Sequence, residues 1–136
     1  MGNTLEEIEN DFRGNPPKDS TSLIANCYYI RKKDLAEFTI EDYRLLIGQN
    51  ISLETLIPRA LTLLKYDFFA EGDYYEGDLL KSVLSSDSSF WEKHSDLKND
   101  LINLFESNIK YLEEFDTTDV IKKDLYNSFE QFKVSF

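Results

Sequence analysis

The sequence predicts an all-α fold: a compact single-domain bundle of about seven helices spanning residues 1–136. Three observations lead there. No segment sustains the strict apolar–polar alternation of a half-buried strand. Apolar residues recur instead at helical spacing, as in Leu53, Leu56, Ile57, Ala60, Leu61, Leu64 and Phe68, or Leu97, Leu101, Phe105, Ile109 and Leu112. These runs open at hydroxyl or acidic residues and are separated by Gly, Pro and Ser turns. The length suits one domain able to bury roughly two-thirds of its unfolded surface. Hydrophobic residues at 41 % and aromatic ones at 14 % exclude a wholly disordered chain.

In chain order, Thr4 is placed to cap a short helix over Leu5–Phe12, with Leu5, Ile8 and Phe12 on one face. Gly14-Asn15-Pro16-Pro17 ends it. Ser20 or Thr21 starts a second helix carrying Leu23, Ile24, Cys27, Tyr28 and Ile30, and Arg31-Lys32-Lys33 at its end read as partners of the helix dipole. Thr39 and Asp42 form a short-armed capping box, with Phe38 and Tyr43 as its hydrophobic staple. The helix from Ile40 runs to Gly48, expected to take the left-handed terminating turn. Ile51 and Ser52 open the next, Ile51 set to staple against Leu56. Pro58 either bends that helix or moves its regular start nearer Leu56.

Past a glycine-punctuated acidic loop, Asp78 is the expected N-cap of Leu79–Leu84. Ser88 or Ser89 caps a short segment with Phe90 and Trp91. Ser95 opens a long amphipathic helix, and Thr117 or Thr118 caps a last one whose stripe is Ile121, Leu125, Phe129, Phe132 and Phe136.

Signatures of catalysis are missing, and no enzyme, cofactor or metal centre is expected. His94 is the only histidine and reads as an exposed turn residue; Cys27 sits on an apolar stripe and reads as a core thiol. Glu71, Asp73, Glu76 and Asp78 resemble calcium ligands in type but lack the length and order of a helix–loop–helix calcium site. With Tyr74 and Tyr75 the same carboxylates suit a protein interface, tyrosines giving contact area and acids meeting lysines or arginines. The competing use is internal: the tyrosines pin the loop, and Asp73 and Asp78 cap backbone groups.

The stretch from Ile30 to Leu84 resembles the immunity proteins of bacterial contact-dependent growth inhibition systems. The likeness rests on RKK, FT, ED and IGQNI, then on LIP and AL, then on AEGDYY, GDLL and SVL, with Phe90-Trp91 beyond and Ile8–Phe12 before. It covers Ile8 to Phe105; the family often has proline where Glu76 stands, and the tail from Ser107 falls outside. The resemblance implies a protein that binds and neutralises one toxin domain, commonly a nuclease, here an expected RNase. Glu71, Asp73, Tyr74, Tyr75, Glu76 and Asp78 are the candidate partner-binding residues, with the acidic faces of the later helices expected to extend that surface.

Charge agrees with a basic protein partner. The chain has 26 acidic residues against 15 Lys and Arg, a net charge of −11; residues 71–136 hold 15 of the acids and 7 of the bases. Such a field repels nucleic acid and anionic lipid and attracts cationic proteins. The expectation is a monomer forming a 1:1 complex with a basic toxin domain, with no nucleic-acid or membrane partner. A helical adaptor for another basic protein is the alternative. The acidic N-terminus and the lone cysteine predict a cytoplasmic location.

Overall fold

The structure, a computed structural model, describes residues 3–135. Among these it is all-α, with nine α-helices, a 3-10 turn at Leu35–Glu37 and no strand. α1 (Leu5–Glu9) begins at a full capping box of Thr4 and Glu7. It stops earlier than expected because Asn10 turns left-handed at φ 51°. Of its expected stripe only Leu5 enters the core; Ile8 and Phe12 stay exposed.

α2 (Ser22–Ile30) is capped by Thr21, whose hydroxyl accepts the Ile24 N–H at 3.2 Å. Cys27 is buried, and burial pushes its thiol pKa up. Arg31, Lys32 and Lys33 do more than end this helix. Their side chains reach Glu9 and Asp11, Glu6, and Asp42 respectively, tying α2 to α1 and to the start of the next helix.

α3 (Ile40–Gly48) has the expected capping box, and the Phe38 and Tyr43 rings meet edge to face at 5.3 Å. Its end differs from expectation. Gly48 stays helical, and Asn50 takes the left-handed turn at φ 58°. The N–H groups of Asn50 and Ile51 donate to Ile47 and Leu46, both at 2.9 Å, the bond pair that satisfies a helix C-terminus. α4 (Leu53–Tyr66) starts at Leu53, so the exposed Pro58 does not delay it. Leu53, Leu56, Ile57, Ala60, Leu61 and Leu64 are all buried; Phe68 is buried too, but from the turn beyond the helix.

α5 (Asp78–Leu84) packs against α3 and α4. α6 (Ser88–Lys93) is capped by Asp87 rather than by a serine. α7 (Ser95–Ser107) and α8 (Ile109–Glu114) replace the one long helix expected. Asn108 breaks the run, its side chain amide donating to the Leu104 carbonyl at 2.8 Å. That break, and the short helix at Phe90-Trp91, raise the count above seven.

α9 (Asp119–Val134) is capped by Thr118 and packs on α5 and α7. Its Leu125, Phe129 and Phe132 are buried, while Phe136 lies outside the described residues. Phe129 stacks on Phe105 at 3.9 Å, and Phe132 meets the edge of Trp91 at 4.9 Å. At about 1.5–3 kcal/mol per buried large side chain, this helix is integral to the core.

Candidate functional site

Five of the six candidate residues lie in the loop between Ala70 and α5, and the sixth organises it. Asp78 is not the N-cap; Gly77 is, at φ 91°, and Asp78 is the first helical residue. Its buried carboxylate turns back instead. Oδ1 accepts the Gly72 N–H at 2.7 Å, and Oδ2 accepts those of Tyr74 at 3.0 Å and Tyr75 at 3.4 Å. A buried carboxylate without donors would be costly, so these bonds, with Arg44 at 4.0 Å, hold loop and charge together.

One flank of the loop is held by α3. Glu41 accepts the Asp73 N–H at 2.9 Å and two bonds from the Arg44 guanidinium at 2.6 Å. Arg44 also lies over the Tyr74 ring, 4.5 Å from its centroid. Hydrogen bonding to Arg44 holds the Glu41 carboxyl below its ordinary pKa, and Glu41 raises that of Arg44 in turn. Gly72 allows the close approach: a Cβ there would sit 2.5 Å from Glu41 Oε1 and 3.3 Å from its Cα.

The other flank is held by α9. A Cβ at Gly77 would meet Leu125 Cδ1 at 2.9 Å. Thr117 donates to Glu76 Oε2 at 3.2 Å, and Lys81 in α5 bonds Asp124 at 3.1 Å and Ser128 at 2.7 Å.

The six residues therefore divide. Glu71, Asp73 and Tyr74 are exposed, Tyr74 at 70 %; Tyr75 and Glu76 are half-buried; Asp78 faces inward. Burial, then the charges of Asp124 and Asp78, push the Tyr75 pKa up, so its hydroxyl stays protonated as a donor. Among the described residues no group of three or more His, Cys, Asp and Glu is placed to hold a metal ion. His94 is stacked on Phe90 at 4.4 Å and lies 3.5 Å from Glu54.

Sequence reasoning missed Glu41, Arg44, Thr117 and Leu125. Only the i,i+3 spacing of Glu41 and Arg44 hinted at a pair, and nothing local tied it to a loop 32 residues on. The arrangement can present an aromatic ring and carboxylates in a fixed conformation. Among the described residues no helix is long and apolar enough to cross a membrane.

A family model described as CDI immunity proteins matches residues 7–101. No curated protein matches the chain. The matched stretch is more than half of the 136 residues and includes the loop, Asp78 and both α3 residues that hold it. The chain thus belongs to the CDI immunity proteins, which neutralise toxins of contact-dependent growth inhibition.

Proposed function

We propose that this protein binds its cognate toxin domain one to one, in the cytoplasm, and keeps it from its substrate, with the loop from Glu71 to Glu76 in the contact surface and the buried Asp78 holding that loop rather than touching the toxin. The toxin on this reading is a basic nuclease acting on RNA. The observation that carries it is the loop's construction: Tyr74 is exposed on a backbone fixed by Asp78 and Glu41, inside the family's matched region. A loop ordered beforehand loses little conformational entropy on docking, which favours affinity. A nanomolar complex corresponds to about 12 kcal/mol, and aromatic anchors commonly supply the largest shares. The net charge of −11 favours encounter with a cationic partner.

The test is co-expression with the toxin domain encoded by the adjacent upstream gene. The expected result is protected growth, co-purification of both chains and loss of the toxin's RNA cleavage. Cells dying as fast with this protein as without it would refute the proposal. Cleavage of DNA instead of RNA would correct the substrate.

A further inference from the structure

The two N-terminal helices are bonded to each other across a long stretch of chain. Glu6 pairs with Lys32 at 2.8 Å, while Arg31 pairs with Glu9 and donates to the Asp11 carbonyl at 2.9 Å. The Glu6 N–H donates to the Arg31 carbonyl at 3.2 Å, and the Leu35 N–H to that of Asn3 at 2.9 Å. All of these bonds lie within residues 3–35. From the same stretch to the body of the bundle, Lys33 reaches Asp42 at 2.7 Å and Arg31 reaches Ser52 Oγ at 3.3 Å.

The seam between this helix pair and the body is thinly packed. A cleft of about 290 Å³ lies along it, with Cys27, Tyr28 and Arg31 on one side and Asn50, Ile51 and Ser52 on the other. Asn50 and Ser52 are both held at positive φ, 58° and 56°. Arg31 also carries a buried Nε with no hydrogen-bond partner among the described residues, which native interiors rarely tolerate. Apolar burial is scarce as well. Among residues 3–34 only Leu5 and Cys27 belong to the buried core, with Ile30 packed against it, whereas α4 alone contributes six side chains. Ile8, Phe12, Leu23, Ile24 and Tyr29 stay exposed.

We infer that α1 and α2 form one arm that detaches and unfolds separately from the rest of the bundle, latched by the Lys33–Asp42 pair. Local opening costs least where little apolar surface is buried. Helices of five and nine residues do not persist once detached, so opening melts them. The bonds from Glu6, Glu9 and Asp11 to α2 make the two helices open together. Asp42 also completes the capping box at the head of α3, next to the Glu41 that supports the acidic loop. Latch and loop support therefore share one helical turn.

The experiment is native-state hydrogen exchange, followed by NMR, on the full chain and on two variants, K33M and F132L. Lys33 pairs with Asp42 and not with α1, and Phe132 is packed in α9 against Trp91. In the wild type the Ile8 amide of α1 and the Ala25 and Arg31 amides bonded within α2 should share one protection, at least about a hundredfold weaker than that of α4. K33M should speed Ile8 and Arg31 equally, by about tenfold. F132L should speed α4 about fivefold and leave Ile8 and Arg31 within about twofold of wild type. Wild-type exchange of both helices only in step with α4, or F132L speeding all of them alike, would overturn the separate arm. K33M speeding α2 but not α1 would overturn their opening as one unit. The wild-type comparison needs neither variant to fold.

Discussion

Glu41 and Asp73 stand 32 residues apart, yet Glu41 Oε1 accepts the Asp73 N–H at 2.9 Å while the same carboxylate grips Arg44. This bond makes α3 a support for a loop that sequence alone leaves free. With Asp78 on the inside and Leu125 on the far flank, the loop is fixed from three directions.

Glu41 titrates in a predictable sense. Arg44 lowers its pKa in the folded state, so its contribution is fully present above the ordinary value of 4.5 and is lost as pH falls through the lower folded value. E41Q keeps an oxygen for Asp73 but loses the charge. Urea denaturation at neutral pH should find E41Q weaker by about 1–2 kcal/mol, a gap that closes on acidification. A gap independent of pH would contradict this role.

Replacing Asp78 by alanine removes the acceptor of three backbone N–H groups. Asp78 is 3 % exposed, so water does not readily substitute. Stability should fall by about 3 kcal/mol. Near-wild-type unfolding midpoints would show that the loop is held by other means.

Gly77→Ala and Gly14→Ala both place a Cβ at positive φ, 91° and 67°. At Gly14 nothing lies within 4 Å, whereas at Gly77 the new atom meets Leu125 at 2.9 Å. The first cost is about 1–2 kcal/mol at either site. G77A should exceed G14A by at least about 1 kcal/mol through overpacking. Equal costs would mean that α9 yields there.

Removing residues 115–136 should abolish cooperative unfolding. The deletion uncovers Phe105 and Trp91, which Phe129 and Phe132 now cover. Large aromatic truncations alone cost about 3–5 kcal/mol, a large part of a small domain's stability. A sharp thermal transition in the shortened chain would contradict the placement of α9 in the core.

The helical class and most of the core were legible because they depend on local signals. The α4 stripe and the Thr39–Asp42 box follow from spacing and side-chain reach within one or two turns. What escaped depends on tertiary partners or on close competition between local choices. Asn50 rather than Gly48 takes the left-handed turn, since asparagine also tolerates it and Gly48 sits where α5 comes close: a Cβ there would lie 3.4 Å from Ser82 Oγ. The acidic loop read correctly as a loop, but Asp78 looked like a helix cap because its true donors lie upstream. Tyr74 and Asp78, alike as members of one motif, face opposite ways.

The most direct measurement compares toxin-domain binding by the wild-type chain and by Y74A, with dissociation rates recorded. Tyr74 is 70 % exposed and its loss removes the contact with Arg44, so stability should fall by no more than about 1 kcal/mol. The account predicts a tight wild-type complex and dissociation at least about tenfold faster from Y74A. Identical dissociation from both would contradict the claim that this clamped loop grips the toxin.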